Sequence, residues 1–410
     1  MAPESSETNK KKKRIAMNLK YRNISMPAVM RSGMAALALL LCLAGPASAE
    51  SIDTSATHAI IVDAMTGTVL LDKNAGGRMP TSSMSKTMTM YMIFEALKQG
   101  RLHLNDELPI SERAWRMQGS KMFVKVGDRV KVEDLIRGVL IQSGNDAAVA
   151  LAEGLSGSEE AFTEAMNTRL KDMGMTSSHF MNASGWPDPD HYSTPRDLAL
   201  LALRIINDYP EYYHYFSEKE FTYGLSLQGK KIVQQNRDPL LGKLPGADGL
   251  KTGHTDIAGY GLIGSAKRDG RRLILVMNGL QDKKAREEEG VRLMEWGFRN
   301  FENKSIFKKG ETVETAKVWL GKVGEIPLVA KDDITVVLPV ARRAELKLTL
   351  DYKSPLKAPV RKGEPVARLR IEIPEQQPLI VELLAGADVE RQGAFARAKN
   401  RLIYLLTGTY

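Results

Sequence analysis

Three short polar clusters have the residue types and spacing that acyl-transfer chemistry needs. Ser83 and Lys86 stand three apart in Pro80-Thr81-Ser82-Ser83-Met84-Ser85-Lys86. On a helix that spacing puts both on one face, where a lysine amine held out of water, near other positive charge, can take the Ser83 proton. A lone S-x-x-K also describes a capped helix start with a solvated lysine, and among three serines only the distance to Lys86 selects Ser83. The second cluster is Gln142-Ser143-Gly144-Asn145-Asp146. Ser143 can relay a proton there, and Asn145 can grip a substrate carbonyl or hold Lys86. Third, Lys251-Thr252-Gly253 follows a turn-like Gly246-Ala247-Asp248-Gly249 and precedes an expected strand. It offers a cation, a hydroxyl and an unobstructed backbone edge to an extended substrate. S-x-x-K, S-x-N and K-T-G in this order and at these separations form a specific combination.

These clusters need elements to position them. Residues 58–63 and 68–72 flank Met65-Thr66-Gly67 and read as a β-hairpin. Helical periodicity runs over 83–97, 132–140 and 146–155, and again from Pro195 to Ile206 behind Ser193 or Thr194 as cap. Residues 258–266 and 272–277, joined at Arg268-Asp269-Gly270, predict a second hairpin, and 286–298 a helix. The order predicts an antiparallel sheet whose first and last elements are neighbours, with a helical region inserted between them. Beyond residue 300 alternating segments such as Ile334–Leu338 and Leu346–Leu350, punctuated by Pro and Gly, predict a separate all-β domain. The expected class is α+β, a catalytic domain over 50–300 followed by a small β-sandwich domain over 301–390.

The chain has 410 residues, 43% of them apolar and 26% charged, which excludes wholesale disorder, and its formal charge is +9. That charge sits at the ends. Residues 1–49 hold eight Lys and Arg against two Glu, with apolar Met34–Leu43 leading into Ala47-Ser48-Ala49, the pattern of a cleaved export signal. Removing it leaves +3, equal to Arg397, Lys399 and Arg401 of the last 18 residues. The single cysteine, Cys42, leaves with the leader, so the mature chain has no thiol for catalysis, metal or disulfide. Nucleic acid is therefore not an expected partner. In the tail, Phe395, Leu402 and Leu406 are spaced to share a helical face beside the basic residues. Residues 391–410 thus read as an amphipathic helix for an anionic membrane surface or as a helix packed on the protein itself.

Other polar features carry less. The six histidines show no metal-ligand spacing, so no metal is expected, and no cofactor motif is present. The glycines of 246–253 lack the strand-Gly-helix context of phosphate loops.

With these motifs, the chain resembles the penicillin-binding proteins of the serine D-alanyl-D-alanine carboxypeptidase type, peptidase S11. These are low-molecular-mass periplasmic enzymes with a β-lactamase/transpeptidase-like catalytic domain. Phe180-Met181-Asn182-Ala183-Ser184-Gly185-Trp186, Asn236-Arg237 and Asp248–Thr255 add to the match, which runs from about Thr54 to the end. One departure is an extra residue between Pro80 and Ser83, where the family usually has Pro-Ala-Ser-x-x-Lys, so the turn before the nucleophile is expected to differ. The resemblance implies that Ser83 attacks the penultimate D-Ala carbonyl, Lys86 acts as base, and Ser143, set beside Asn145, passes a proton to the leaving amine. Lys251 with Thr252 or Thr255 would hold the terminal carboxylate on the edge that includes Gly253, and the N–H groups of Ser83 and His254 would form the oxyanion hole.

The expected activity is removal of the terminal D-Ala from peptidoglycan stems ending in D-Ala-D-Ala, with β-lactams as covalent inhibitors. The expected location is periplasmic, on the outer face of the inner membrane through residues 393–410. Two alternatives are a D,D-endopeptidase of the same family, cutting cross-links, and a non-catalytic cell-wall scaffold. A β-lactamase would need fast deacylation, normally aided by a loop carboxylate, and no segment matches one.

Overall fold

The computed structural model describes residues 10–14, 52–225 and 228–407. Apart from Lys10–Arg14, which forms a short strand, the expected export leader lies outside them. The chain divides into two compact units, one over Ile52–Arg299 and the other containing Asn300–Tyr410.

The first unit is built on a five-stranded antiparallel sheet. Its strands are β1 (His58–Asp63), β2 (Val69–Lys73), β3 (Ala247–Thr255), β4 (Gly259–Arg268) and β5 (Arg271–Leu280), in the spatial order β2-β1-β5-β4-β3. The first strand and the last are neighbours, as the element order predicts. At the β1–β2 turn Asp63 Oδ1 accepts the N–H groups of Met65 and Thr66. Between β2 and β3 lie α1 (Lys86–Lys98), α2 (Val132–Leu140), α3 (Asn145–Ser156), α4 (Glu159–Asp172) and α5 (Pro195–Asp208). Thr194 caps α5 through Asp197 N, with Pro195 in the first turn, where its missing N–H costs nothing. In α3 the run from Ala147 to Ala152 is fully buried, because small side chains let neighbouring helices close on it. On the other face of the sheet lies α6 (Lys283–Asn300), where Gly290 and Gly297 sit against Leu262 and Leu273 with no room for larger side chains.

One sequence expectation changes. Gly246–Gly249 reads as a turn before Lys251, yet Ala247–Thr255 is one continuous strand. Gly249 lies at φ +145°, and an added Cβ would come 2.9 Å from Phe216 Cβ. The glycines here allow close packing within a strand. β3 ends the sheet order, so one of its backbone edges pairs with no further strand among the described residues, although Leu250, Lys251 and Thr252 are buried.

The second unit is all-β except for its terminal helix. The strands β6 (Phe301–Phe307), β7 (Thr312–Trp319), β8 (Glu325–Ala330), β9 (Ile334–Pro339), β10 (Lys347–Lys353), β11 (Leu356–Lys357), β12 (Pro365–Glu372) and β13 (Leu379–Ala385) form two sheets. Lys10–Arg14 pairs antiparallel with β10. Alternate residues point inward, as a half-buried strand requires, and Ile334 and Val336 of one sheet share a core with Leu350, Leu369 and Leu383 of the other. Helix α7 (Ala394–Thr407) closes the described chain. Tyr404 meets Trp319 edge to face at 5.3 Å, while Phe395, Leu402, Leu405 and Leu406 stay exposed. No described helix is long and apolar enough to cross a membrane.

Candidate active site

The turn before Ser83 departs from a simple helix start. Residues Ser82–Ser85 form one 3₁₀ turn that leads into α1, and Ser82 adopts φ +48°. Such a conformation is strained for a residue with a side chain and persists only where its surroundings hold it. Here the Ser82 hydroxyl meets Thr255 Oγ1 at 3.1 Å, tying the turn to the end of β3. Gly185 presses from the other side, and a Cβ on it would fall 1.8 Å from the Ser82 carbonyl oxygen. The extra residue in this box is thus accommodated as a tight bend clamped between a loop glycine and a strand.

Within this frame Lys86 Nζ donates to Ser83 Oγ at 2.9 Å, to Asn145 Oδ1 at 2.6 Å and to the Ser184 carbonyl at 2.6 Å. Lys86 is fully buried, and among the described residues no carboxylate pairs with it. Burial, helped by the Arg237 charge and opposed by Asp146 and Glu159, pulls its pKa down from 10.5 to about 7. A neutral amine is therefore abundant near neutral pH, beside a hydroxyl.

Asn145 is held at both ends of its amide. Its Nδ2 donates to the Gln118 carbonyl at 2.6 Å, which fixes Oδ1 toward Lys86, and its backbone N–H donates to the Ser120 carbonyl. The neighbouring Asp146 accepts three consecutive N–H groups, from Met122, Phe123 and Val124, and so fixes the loop that supplies those carbonyls. Ser143 takes a positive φ of 65° just before α3, and its hydroxyl accepts from Lys251 Nζ at 2.9 Å. Lys251 also donates to the Thr252 carbonyl at 3.1 Å. It is buried, and desolvation together with the charges of Lys86 and Arg237 pushes its pKa well below the ordinary lysine value.

The expected site residues converge. Hydrogen bonds join Lys86 to Ser83 and Asn145, Lys251 to Ser143, and Ser82 to Thr255, and Thr252, Gly253 and His254 continue along β3. Gly253 lets the strand close on the turn that carries Ser83, since a Cβ there would meet the Thr81 carbonyl at 2.8 Å. His254 is exposed and stacks on Tyr260, with ring centroids 3.9 Å apart. Ser83, Asn145, His254 and Thr255 line a cleft of about 550 Å³ together with Arg237.

Two contributors carry no spacing signal. Arg237 is more than 80 residues from any other charged member except Lys251, and only folding brings it to the cleft, where its Nη1 donates to Ser120 Oγ. His191 is the other. Its Nδ1 accepts from Met181 N–H, so Nε2 carries the proton and donates to Ser85 Oγ at 2.6 Å, and Ser85 is bonded in turn to Thr81 Oγ1. Burial pushes the imidazole pKa down to about 4, so this ring is neutral and acts as a brace for the turn that carries Ser83. Among the described residues no cluster of His, Cys, Asp or Glu is arranged to hold a metal.

The D-alanyl-D-alanine carboxypeptidase family, peptidase S11, matches residues 45–281, and the C-terminal domain of penicillin-binding protein 5 matches residues 301–391. The chain belongs to the peptidase S11 family. It is a serine D-alanyl-D-alanine carboxypeptidase by class. It is 37% identical to the D-alanyl-D-alanine carboxypeptidase DacC of Escherichia coli over 89% of this chain and 93% of that one. The crystal structure of penicillin-binding protein 5 from Haemophilus influenzae superposes with a TM-score of 0.73 at 35% identity, covering 83% of this chain and 99% of that one. Penicillin-binding protein D2 from Listeria monocytogenes, solved in its ampicillin-bound form, matches with a TM-score of 0.55 at 33% identity, covering 61% and 99%.

Proposed function

We propose that Ser83 is the nucleophile and Lys86 the base with which this S11 carboxypeptidase releases the terminal D-alanine of peptidoglycan stem peptides. The observation that carries the reading is a buried Lys86 amine 2.9 Å from Ser83 Oγ with its pKa near 7. As Ser83 Oγ attacks the penultimate D-Ala carbonyl, its proton passes to Lys86 Nζ. The backbone N–H groups of Ser83 and His254 receive the oxyanion. Collapse expels D-alanine, its amine taking up by way of Ser143 the proton that Lys86 gives back, and leaves an ester on Ser83. Water then adds to that ester, giving one proton to Lys86 and on to the departing Ser83 Oγ, which restores the enzyme.

The substrate's terminal carboxylate is placed on Lys251, Thr252 and Thr255, with Arg237 as a further cation. Its arrival supplies the counter-charge that buried Lys251 lacks among the described residues, and so favours the ammonium form in the complex. A β-lactam carries a carboxylate and a strained amide in comparable positions and acylates Ser83 without a departing fragment. Export through residues 1–49 and attachment to the inner membrane through 391–410 complete the reading, with 50–300 as catalytic domain and 301–390 as its β domain. The exposed apolar side chains of α7 beside Arg397, Lys399 and Arg401 support the attachment.

The test is incubation of purified protein with a pentapeptide ending in D-Ala-D-Ala. Free D-alanine is expected, and Ser83→Ala or Lys86→Ala should lower kcat/KM by roughly 10³-fold or more. Cleavage of cross-linked dimers without release from the pentapeptide would replace the carboxypeptidase with an endopeptidase.

A further inference from the structure

The carbonyl of Ser184 holds the Lys86 amine, and the segment that carries this carbonyl is itself held from behind. The Ala183 carbonyl accepts from Thr89 Oγ1 at 2.6 Å, while the Ala183 N–H donates to Glu159 Oε1 at 3.0 Å. Gly185, the residue after Ser184, is the one that presses on Ser82. Glu159 therefore grips the short stretch of chain that meets both the turn carrying Ser83 and the amine beside it.

Glu159 is 4% exposed. It stands in the first turn of α4, where the unpaired N–H groups of a helix start favour a negative charge, and Ser158 caps that helix. Its other oxygen, Oε2, accepts from Arg113 Nη2 at 2.7 Å. Arg113 belongs to the short helix Glu112–Arg116, its side chain is 49% exposed, and it also pairs with Glu160 at the surface. A buried carboxylate tied to a half-exposed guanidinium thus backs the segment that holds Lys86.

Charge reaches the Lys86 amine from several elements. Arg237 and Lys251 are the cations, Asp146 and Glu159 the carboxylates, and the His191 ring is neutral. Asp146 spends its two oxygens on the backbone N–H groups of Met122, Phe123 and Val124. Glu159 has an arginine as partner, so its influence on the amine depends on a second side chain. The carboxylate favours the ammonium form of Lys86, and a guanidinium beside the carboxylate opposes that. We propose that Glu159 and Arg113 act as a positioning pair for Lys86: Glu159 fixes the segment whose carbonyl holds the amine, and Arg113 offsets the Glu159 charge that the amine would otherwise feel. The inference rests on the reading of Lys86 as the base.

The experiment follows acylation of the full chain by a neutral active ester from pH 5.5 to 9. Each rate is normalised to the fraction that a fluorescent penicillin labels at completion, which counts only folded protein. Glu159→Gln keeps an acceptor for the Ala183 N–H and removes the charge. Its inflection should move down by about half a pH unit, so that the rate at pH 6 rises about threefold while the plateau at high pH stays. Arg113→Gln should move the inflection up, by less because that charge lies beyond Glu159 and half in solvent, and Arg113→Lys should leave it in place. Glu159→Ala removes the acceptor as well as the charge, and its plateau should fall roughly tenfold. Shifts of the same sign in Glu159→Gln and Arg113→Gln, no shift in either, or an unchanged plateau in Glu159→Ala overturns the pair while leaving Lys86 as base. A wild-type profile without an inflection overturns the base reading itself, and the pair with it.

Discussion

The proton on Lys86 can be found by titrating acylation. With its pKa near 7, about half of the protein carries a neutral amine at pH 7, about 9% at pH 6 and about 91% at pH 8. At the ordinary value of 10.5 the neutral fraction at pH 7 would be about 0.03%, about three orders of magnitude less. Burial, helped by the Arg237 charge, thus supplies that gain in base availability. The acylation rate should climb about tenfold between pH 6 and pH 8 and level off above. A neutral active ester without a carboxylate is the suitable acyl donor, because its binding does not draw on Lys251. The second perturbation is Arg237→Gln. Removing that positive charge relieves the ammonium form of Lys86, so the inflection must move to higher pH. Stopped-flow detection of the leaving alcohol from pH 5.5 to 9 reads both. A flat profile, an inflection at the ordinary lysine position, or an inflection that ignores Arg237→Gln would refute Lys86 as a base tuned by burial and by that arginine.

Other expectations follow from single contacts. His191, 4% exposed, has a folded pKa of about 4 against 6.5. Between those values the unfolded chain binds more protons, so the stability His191 contributes is present above pH 6.5 and lost as pH falls toward 4. The change amounts to about 3 kcal/mol, read as the difference between wild type and His191→Gln in urea denaturation at stepped pH. Gly185→Ala puts a methyl into the Ser82 carbonyl at a positive φ of 76°. It should cost about 3 kcal/mol or more and slow penicillin acylation, because only displacement of the nucleophile turn relieves the clash. Truncation after Arg391 should move the protein from the membrane fraction to the soluble one. High salt should release part of the full-length protein, to the extent that Arg397, Lys399 and Arg401 contribute through charge.

Much of this arrangement is legible in the sequence because its signals are local. Ser83 and Lys86 are one helical turn apart, Ser143 and Asn145 flank one glycine, and Lys251 to Thr255 are consecutive, so type and spacing suffice to single them out. The first-to-last pairing of β1 and β5 follows from element order alone. What escapes is non-local or cancels a local cue. Arg237, marked only by the resemblance at Asn236-Arg237 and given no role there, and His191 reach the site through tertiary contacts that no periodicity signals. Helix α4 passes unnoticed because its buried residues Phe162, Met166 and Leu170 are diluted among charged ones, although Ser158 caps it through Ala161 N–H. The glycines before Lys251 signal a turn by composition, while packing against Phe216 makes them part of a strand.

The end strand of the sheet faces a problem that this fold meets by burial. Proteins usually blunt an unpaired strand edge with a bulge, a proline or a protruding charge, since free N–H and C=O groups recruit any extended chain. In β3 the register shifts between Ala247 and Gly249, and beyond that bulge Leu250, Lys251 and Thr252 are only 1%, 2% and 5% exposed, with Lys251 turned inward to Ser143. A chain can therefore pair with this edge only by entering the cleft, which protects the enzyme from edge-to-edge association while leaving the strand without a partner.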